Sequence, residues 1–292
     1  MSDAKIDIKD SPFVASPVVP EQFDEDHVIK FRCYKGISCF NACCRNIDIT
    51  LTPYDILRLK QRLGIGSAEF LKQYTYPFEF AKNSIAGVKM EPVQDGTACQ
   101  FMTEEGCSVY EDRPTACRYY PVGLLSTRRA DENFDRASYA LVREDHCKGH
   151  LEEREISIAD YRKEQGLEEY DEHGRAWRQL ILKMKSAGPA IGTLSKKSLQ
   201  FFFMVCYDLD RFREFVKSEG FNATFDIDDE TRQSLYTDDL ALLDFGQQMI
   251  RQIMFGEETI ARKADAYESL VARREEQRKL RDEMEDDEPN VD

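Results

Sequence analysis

The sequence lacks any apolar run long enough to cross a membrane. Its longest run, FFFMVC at residues 201–206, is far below the roughly 20 apolar residues that a transmembrane helix requires. The first ten residues, MSDAKIDIKD, contain no apolar stretch of the kind that secretion signals carry. We therefore expect a cytoplasmic protein with no membrane partner, in a compartment that keeps thiols reduced.

Histidine is also scarce, with 4 residues in a chain of 292. No H-E-x-x-H motif and no Ser-His-Asp set can be assigned, which argues against hydrolytic chemistry. The G-I-G at residues 64–66 ends a predicted helix and does not continue as the G-x-G-x-x-G of a dinucleotide site. The C-x3-C-x2-C arrangement of radical S-adenosylmethionine enzymes is absent as well, because Cys44 directly follows Cys43.

Positive charge is in short supply outside the middle of the chain. Between Val28 and His150, 17 Lys and Arg residues stand against 15 Asp and Glu, whereas the rest of the chain has 23 against 40. Acidic flanks argue against binding to phosphate backbones, which attract stripes of Lys and Arg. We predict no nucleic-acid partner.

The chain divides into four segments by composition. We predict a flexible N-terminal arm at 1–27, where prolines are spaced among small residues, and a cysteine-cluster domain at 28–150. A helical extension is predicted at 151–256, followed by a charged helix and acidic tail at 257–292. The fold class is therefore α+β.

Local signals place several elements. Thr52 is a natural helix N-cap, Pro53 suits the first helical position, Asp55 can answer the cap, and Gly64 ends the helix. A second short helix is predicted from about Ser67 to Tyr74.

Further along the chain, a hairpin is predicted at 104–106 and a short helix after Pro114. Apolar residues at steps of three or four predict one helix over 195–216, and another helix is predicted over about 238–255.

Against these absences stands a surplus of cysteine. Nine cysteines occur, and eight of them follow the pattern C-x5-C-x3-C-C and then C-x7-C-x9-C-x29-C. These eight lie in turn-rich segments, where a buried packing cysteine is unusual. The exception, Cys206, lies among Phe and Val, and we expect it to be an inert core thiol.

Three interpretations of the eight cysteines remain open at this stage. A disulfide framework needs an oxidising compartment, for which the sequence gives no indication. Structural zinc requires two tetrahedral sites, although zinc knuckles use shorter cysteine spacings. Iron–sulfur ligation accepts thiolates from separate loops with looser spacing, and it is the preferred interpretation. His146 and His150 flank Cys147 and could be ligands, but we expect both to be surface residues.

The adjacent pair Cys43 and Cys44 raises its own question. Consecutive side chains point to opposite faces in a strand and diverge by about 100° in a helix. We expect the two thiols either to serve different metal centres or to leave one of them as a free or resolving thiol.

The segments FRC, SCFNACCR and ITLTPYDILRL, followed by GCSVYEDRPTACRYYPVG and HCKGH, resemble the YkgJ-like cysteine-cluster family of zinc- or iron-chelating proteins, which is related to flagellin lysine-N-methylases. The resemblance covers about residues 31–150. It implies a small metal-organised α+β module. It also implies a metal or iron–sulfur site whose ligands are Cys33, Cys39, Cys43, Cys44, Cys99, Cys107, Cys117 and Cys147.

Three functions follow as expectations. The first is metal binding through an iron–sulfur cluster, with a redox role or support of a protein modification. The second, implied by the resemblance alone, is an S-adenosylmethionine-dependent protein lysine N-methylase-like enzyme. The third is a structural zinc module that mediates interaction, with a protein partner held by the helical extension. Whether the chain is an enzyme stays open between an oxidoreductase, a lysine methyltransferase-like protein and neither.

Overall fold

A computed structural model describes residues 18, 21–80, 85–127, 136–186, 195–266, 268, 271 and 275. The chain separates into two compact units. Unit 1 consists of Met1–Asp55 and Lys89–Gly174, and unit 2 consists of Ile56–Val88 and Arg175–Asp292. Each unit is therefore built from two separate parts of the chain.

The described residues form strands and helices throughout both units. The strands are β1 Val28–Lys30, β2 Thr50–Leu51, β3 Thr75–Phe80, β4 Ile85–Met90, β5 Met102–Thr103, β6 Gly106–Cys107, β7 Val122–Thr127, β8 Arg136–Leu141 and β9 Glu155–Ser157. The helices are α1 Pro53–Leu63, α2 Ser67–Tyr74, α3 Thr115–Tyr119, α4 Ile158–Glu164, α5 Leu167–Ser186, α6 Lys196–Tyr207, α7 Leu209–Lys217, α8 Glu219–Thr224, α9 Asp229–Thr237 and α10 Asp239–Phe255. Small antiparallel sheets and a helical C-terminal region confirm the predicted α+β class.

Unit 1 contains three antiparallel strand pairs. Strand β1 pairs with β9, with Ile29 opposite Ile156, and β7 pairs with β8, with Leu124 opposite Tyr139. The short hairpin β5–β6 encloses the predicted turn at 104–106, which confirms that prediction. The core of the unit is an apolar cluster from β1, β7 and β8, from α3, α4 and the start of α5, and from the residue after β1, namely Ile29, Phe31, Tyr119, Val122, Tyr139, Leu141, Ile158, Tyr161 and Leu167.

The described part of the N-terminal arm is docked on this unit. The N–H groups of Phe23 and Tyr139 each donate to the carbonyl of the other at 2.8 Å, and Val18 forms a bridge with Val142. Phe23 also packs against the apolar core. Residues 21–27 are therefore held in place, contrary to the predicted flexible arm, and 1–17 and 19–20 lie outside the described residues.

Unit 2 is mainly helical and includes the pair β3–β4. The largest difference from the predicted secondary structure of this unit concerns the single helix expected over 195–216. The structure has two helices there, α6 and α7. The break lies at Asp208, whose side chain accepts a hydrogen bond from the N–H of Arg211 and so caps α7. The apolar spacing continues across the break, which is why periodicity alone did not reveal it. Cys206 is buried beside this break, as predicted.

The C-terminal boundary also differs from the prediction. Helix α10 ends at Gly256, which adopts the left-handed conformation with φ 70°. Residues 257–265 are not helical, and Arg262 forms an antiparallel bridge with Phe225. The charged helix predicted from Glu257 therefore does not begin there, and most of the predicted helix and tail lies outside the described residues.

The two units do not follow the predicted boundaries at 28, 150 and 256, because residues 56–88 group with unit 2 and residues 151–174 group with unit 1. None of the helices in the described parts of the chain combines the length and apolar character that crossing a bilayer requires.

Candidate metal centre

All eight candidate ligands belong to unit 1, and turns position the first four. Gly36 and Asn41 adopt positive φ values of 106° and 62°, which allow the chain to reverse direction twice between Cys33 and Cys43. Asn41 precedes a single 3-10 turn, Ala42–Cys44. The side-chain amide of Asn41 donates to the carbonyl of Thr103 at 2.9 Å, which fixes this loop against the β5–β6 hairpin.

The first and last cysteine segments meet in space. The backbone N–H of Lys148 donates to the sulfur of Cys39 at 3.2 Å, and the N–H of Arg32 donates to the carbonyl of Gly149 at 3.1 Å. These two contacts place Cys33 and Cys39 beside Cys147.

A second group of contacts joins the doubled cysteine to the hairpin. The N–H of Cys99 donates to the carbonyl of Cys44 at 2.8 Å, and the N–H of Met102 donates to the carbonyl of Cys99 at 3.1 Å. Met102 is in turn the strand partner of Cys107. Backbone hydrogen bonds therefore gather Cys44, Cys99 and Cys107.

Cys117 is positioned through Asp55. The carboxylate of Asp55 accepts hydrogen bonds from the N–H of Thr52 at 2.8 Å and from the N–H and hydroxyl of Thr115, both at 2.7 Å. The N–H of Asp55 donates back to the Thr52 hydroxyl at 3.1 Å, which confirms the predicted capping box. Its contacts with Thr115 were not predicted, and they anchor the short helix that carries Cys117.

The sulfurs of Cys43 and Cys44 lie 3.9 Å apart. The expected divergence of this pair is therefore wrong. The two residues share one tight 3-10 turn.

Mutual proximity of the thiols appears in their pKa values. Burial, followed by the negative charges of Cys43, Cys39 and Cys147, raises the pKa of Cys33 to about 11. Burial is also the largest cause that raises the pKa of Cys99, Cys107 and Cys117, and the charge of Cys43 contributes to all three.

The pKa values of the adjacent residues Cys43 and Cys44 shift in opposite directions. A hydrogen bond with Cys44 lowers the pKa of Cys43 to about 7, and the same interaction raises the pKa of Cys44 well above its ordinary value. A thiolate on Cys43 therefore acts on five other cysteines. Because clustered thiolates repel one another, a bound cation is the natural means of deprotonating them together.

The structure provides one clear source of positive charge for the cluster. The guanidinium of Arg113 opposes the upward shift in the pKa of both Cys107 and Cys33. It is held by the carbonyl of Tyr110 at 2.8 Å and the side chain of Gln165 at 2.6 Å. The Arg113 guanidinium also lies 3.9 Å from the centre of the Tyr110 ring, which is 54% exposed.

The two histidines that flank Cys147 contact groups other than the cysteines. The ring of His150 packs on Phe31, and its Nε2 lies 3.0 Å from the carbonyl of Val142, while His146 faces Glu144 at 3.5 Å. These contacts leave the cysteine sulfurs as the candidate donors. None of the nine cysteines forms a disulfide in the described chain.

The sulfurs do not form a ready-made coordination shell. Within the residues that the structure describes, no three Cys, His, Asp or Glu side chains are grouped closely enough to hold an ion. The chemistry of the donor set fits thiolate-bound zinc or iron, and the structure brings the donors into neighbouring loops.

Comparison with family models supports metal binding but does not distinguish zinc from iron. Residues 32–148 match the CxxCxxCC model, which is described as "Putative zinc- or iron-chelating domain". The match supports metal binding by this part of the chain. The cysteine spacing of this sequence, C-x5-C-x3-C-C, is wider than the C-x2-C-x2-C-C spacing in the name of the model. The chain matches no curated protein and no solved structure.

Proposed function

We propose that the cysteine cluster of unit 1 binds metal through the thiolates of its eight cysteines. The preferred form is an iron–sulfur centre, and the alternative is zinc. An iron–sulfur centre would give the protein a role in electron transfer or in support of a protein modification. Zinc would make the module structural and its function interaction with a partner.

The observation that carries the proposal is a contact between cysteine-bearing loops that are far apart in sequence. The N–H of Lys148, next to Cys147, donates to the sulfur of Cys39, 109 positions away. The charges of the cysteines raise one another's pKa values, and Arg113 compensates only part of this repulsion. Such an arrangement is unfavourable without a cation and favourable with one. A reducing compartment is part of the proposal, because thiolates must remain unoxidised.

The choice of iron–sulfur over zinc rests on how the ligands are supplied. Donors come from the 31–45 loop, the β5–β6 hairpin, α3 and the segment before Gly149, and a cluster accepts thiolates from separate loops. The absence of imidazole donors fits this choice, although zinc sites built from four cysteine ligands share it.

Anaerobic purification of the full chain, followed by an absorbance spectrum and metal analysis, tests the proposal. A brown protein that absorbs near about 400 nm and releases acid-labile sulfide identifies an iron–sulfur centre. A colourless protein with about two zinc ions per chain identifies the structural alternative. A protein that carries neither metal, and that takes up neither after reduction, would contradict metal binding.

Methyl transfer is not part of the proposal, because no described contact favours it. A partner protein bound by the helical part of the chain remains a proposal. If the helices alone hold the partner, a pull-down with the full chain should recover the same partner before and after metal removal.

A further inference from the structure

We propose that a cavity beside strand β1 is a docking site for a short extended peptide that carries carboxylate side chains. The peptide pairs with the outer edge of β1 and places its carboxylates against the basic rim of the cavity. The inference goes beyond metal binding and does not depend on it, because backbone groups of β1 and basic side chains supply the contacts.

The hydrogen bonds between β1 and β9 show which backbone groups of β1 are already used. The carbonyl of His27 accepts the N–H of Ile158, and the N–H of Phe31 donates to the carbonyl of Arg154, both at 3.0 Å. Every second residue of an antiparallel strand bonds to the partner strand, so Ile29 also bonds to β9. The residues that alternate with these three therefore direct their backbone groups away from β9.

These alternating residues form the outer edge of β1. The N–H and carbonyl groups of Val28 and Lys30 lie on this edge, and among the described residues no backbone hydrogen bond reaches them. The edge closes at Arg32, whose N–H donates to the carbonyl of Gly149 at 3.1 Å. Val28 and Lys30 therefore offer unused donors and acceptors to a further strand, as in peptide recognition by strand addition.

A cavity of about 520 Å³ is lined by residues 27–30 of this segment. Its other lining residues lie between 141 and 151, the part of the chain that meets the edge of β1 at Gly149. The volume falls in the range of ligand pockets, about 300–1,000 Å³. Two apolar lining residues are well exposed, Val28 at 53% and Leu151 at 76%. Because side chains alternate along a strand, an extended peptide can set its apolar side chains on these two.

The charge of the cavity rim identifies the kind of peptide. The whole chain has a net charge of −15, yet its basic side chains outnumber its acidic ones in this cavity, with Lys30, Arg143 and Lys148 against Glu144 and Asp145. His27 and His150 line the cavity as well. A rim of this sign, on a chain that is otherwise acidic, favours a ligand with carboxylates.

The present contacts of these groups leave room for such a ligand. Lys30 faces Glu155 at 3.7 Å, but both side chains are 63% exposed, and exposed pairs of this kind contribute little. The ammonium of Lys148 donates to the carbonyl of Asp145 at 2.8 Å, which uses one of its three donors. A peptide carboxylate can therefore bind both lysines without breaking a buried contact.

Hydrogen exchange of individual backbone amides in the full-length protein tests the pairing. The probe is the peptide DTVDTV with acetylated and amidated ends, and fluorescence anisotropy of a labelled copy measures its Kd. At a peptide concentration of ten times Kd, exchange of the Val28 and Lys30 amides should slow about tenfold, because they exchange only from the unbound protein. The amides of Ile29 and Phe31 should be protected already in the free protein, because they bond to β9.

Three results would overturn the proposal. The first is an absence of binding up to about 1 mM peptide. The second is binding that leaves the exchange of Val28 and Lys30 unchanged. The third is slow exchange of both amides in the free protein, which would show that another part of the chain already fills this edge. The charge-reversed peptide KTVKTV should bind more weakly than DTVDTV, and equal affinities would reject the role of the basic rim.

Two pairs of variants separate the backbone contribution from the charge. Val28→Pro removes an outward N–H while sparing the bonds to β9, and proline is tolerated at the first residue of an edge strand. It should weaken binding about fivefold, the loss of one hydrogen bond, whereas Val28→Ala keeps the N–H and should bind more tightly than Val28→Pro. Equal affinities of these two variants would reject strand pairing. Protection of the Phe31 amide in Val28→Pro verifies that β1 still pairs with β9.

The second pair keeps the proposal testable if Val28→Pro loses that protection. Arg143→Glu reverses a charge on the rim, and Lys163→Glu makes the same reversal at an exposed position of α4 outside the cavity. Arg143→Glu should weaken binding of DTVDTV and strengthen binding of KTVKTV, whereas Lys163→Glu should bind both peptides as the wild type does. The same affinities in both variants would contradict the assigned site.

Discussion

Replacing Asp55 by Asn tests whether this carboxylate holds the helix that carries Cys117. Both oxygens of Asp55 act as acceptors, one for the N–H of Thr52 and the other for the N–H and hydroxyl of Thr115. Asn has the same shape, but one of its two positions becomes an NH2 donor. Whichever way the amide turns, that donor faces a backbone N–H.

The magnitude follows from these contacts. A hydrogen bond to a charged acceptor contributes about 1.5–3 kcal/mol, and a buried donor left without a partner costs about 1–3 kcal/mol. Burial offsets part of this destabilisation. It raises the pKa of Asp55 because the ionised carboxylate is costly in a buried site, and a neutral amide avoids that cost. We expect a net destabilisation of the α3 region of about 3 kcal/mol, near the lower end of the sum of the two costs because burial offsets part of it.

Hydrogen exchange of the amides of residues 115–119 measures the effect. A loss of about 3 kcal/mol corresponds to exchange roughly 100-fold faster. The reactivity of Cys117 toward alkylation should rise in parallel.

The matched control is Asp48→Asn. It makes the same chemical change on a side chain that is 72% exposed and pairs with Lys89. It should alter stability by less than about 0.5 kcal/mol. If exchange in Asp55→Asn stays within about threefold of wild type, a difference under 1 kcal/mol, the argument for Asp55 as the anchor of α3 is wrong.

Three further predictions concern the rest of the chain. Removal of metal by a chelator should increase hydrogen exchange throughout unit 1 while the far-UV signal of the helical segments persists; a unit 1 that keeps its protection would count against a metal-organised module. Burial tends to raise the pKa of Asp210, but hydrogen bonds from Lys60 and Ser67 outweigh burial and lower that pKa. The ionised Asp210 therefore stabilises the fold at pH values above the ordinary Asp range. This stabilisation is lost as the pH falls through the lowered pKa. Urea unfolding followed by Trp177 fluorescence should show this loss, and Asp210→Asn should flatten it. In helix α10, Ile250→Ala should cost about 3 kcal/mol because Ile250 is 0% exposed, whereas Ile253→Ala, at 45% exposed, should cost less than about 1 kcal/mol; equal costs would contradict the assigned core face.

Local signals in the sequence predicted much of the secondary structure. Helix α1 begins at Pro53 and ends at Leu63, because the capping pair and Gly64 act over a few residues. Helix α10 follows its N-cap Asp238, and α3 follows Pro114. These features depend on neighbours along the chain, which is the information that a sequence displays.

Contacts between distant residues were not predictable in this way. The bond from Lys148 to Cys39 spans 109 positions, and that from Thr115 to Asp55 spans 60. Neither contact leaves a recognisable pattern in the sequence next to its residues. The break at Asp208 escaped notice for a related reason, because an Asp inside an apolar stripe also fits an exposed helical position.

The contact between Cys39 and Lys148 has a consequence for the order of events during synthesis. Ribosomes deliver the N-terminal loop, with its four cysteines, long before the residue that donates to Cys39 emerges. Until then, the segment that carries these thiols lacks its contact with Lys148. Closing the loop between residues 39 and 148 also carries an entropic cost. Closure of the N-terminal cysteine loop on the segment at Lys148 is therefore a late step, which begins only after about half of the polypeptide has left the exit tunnel.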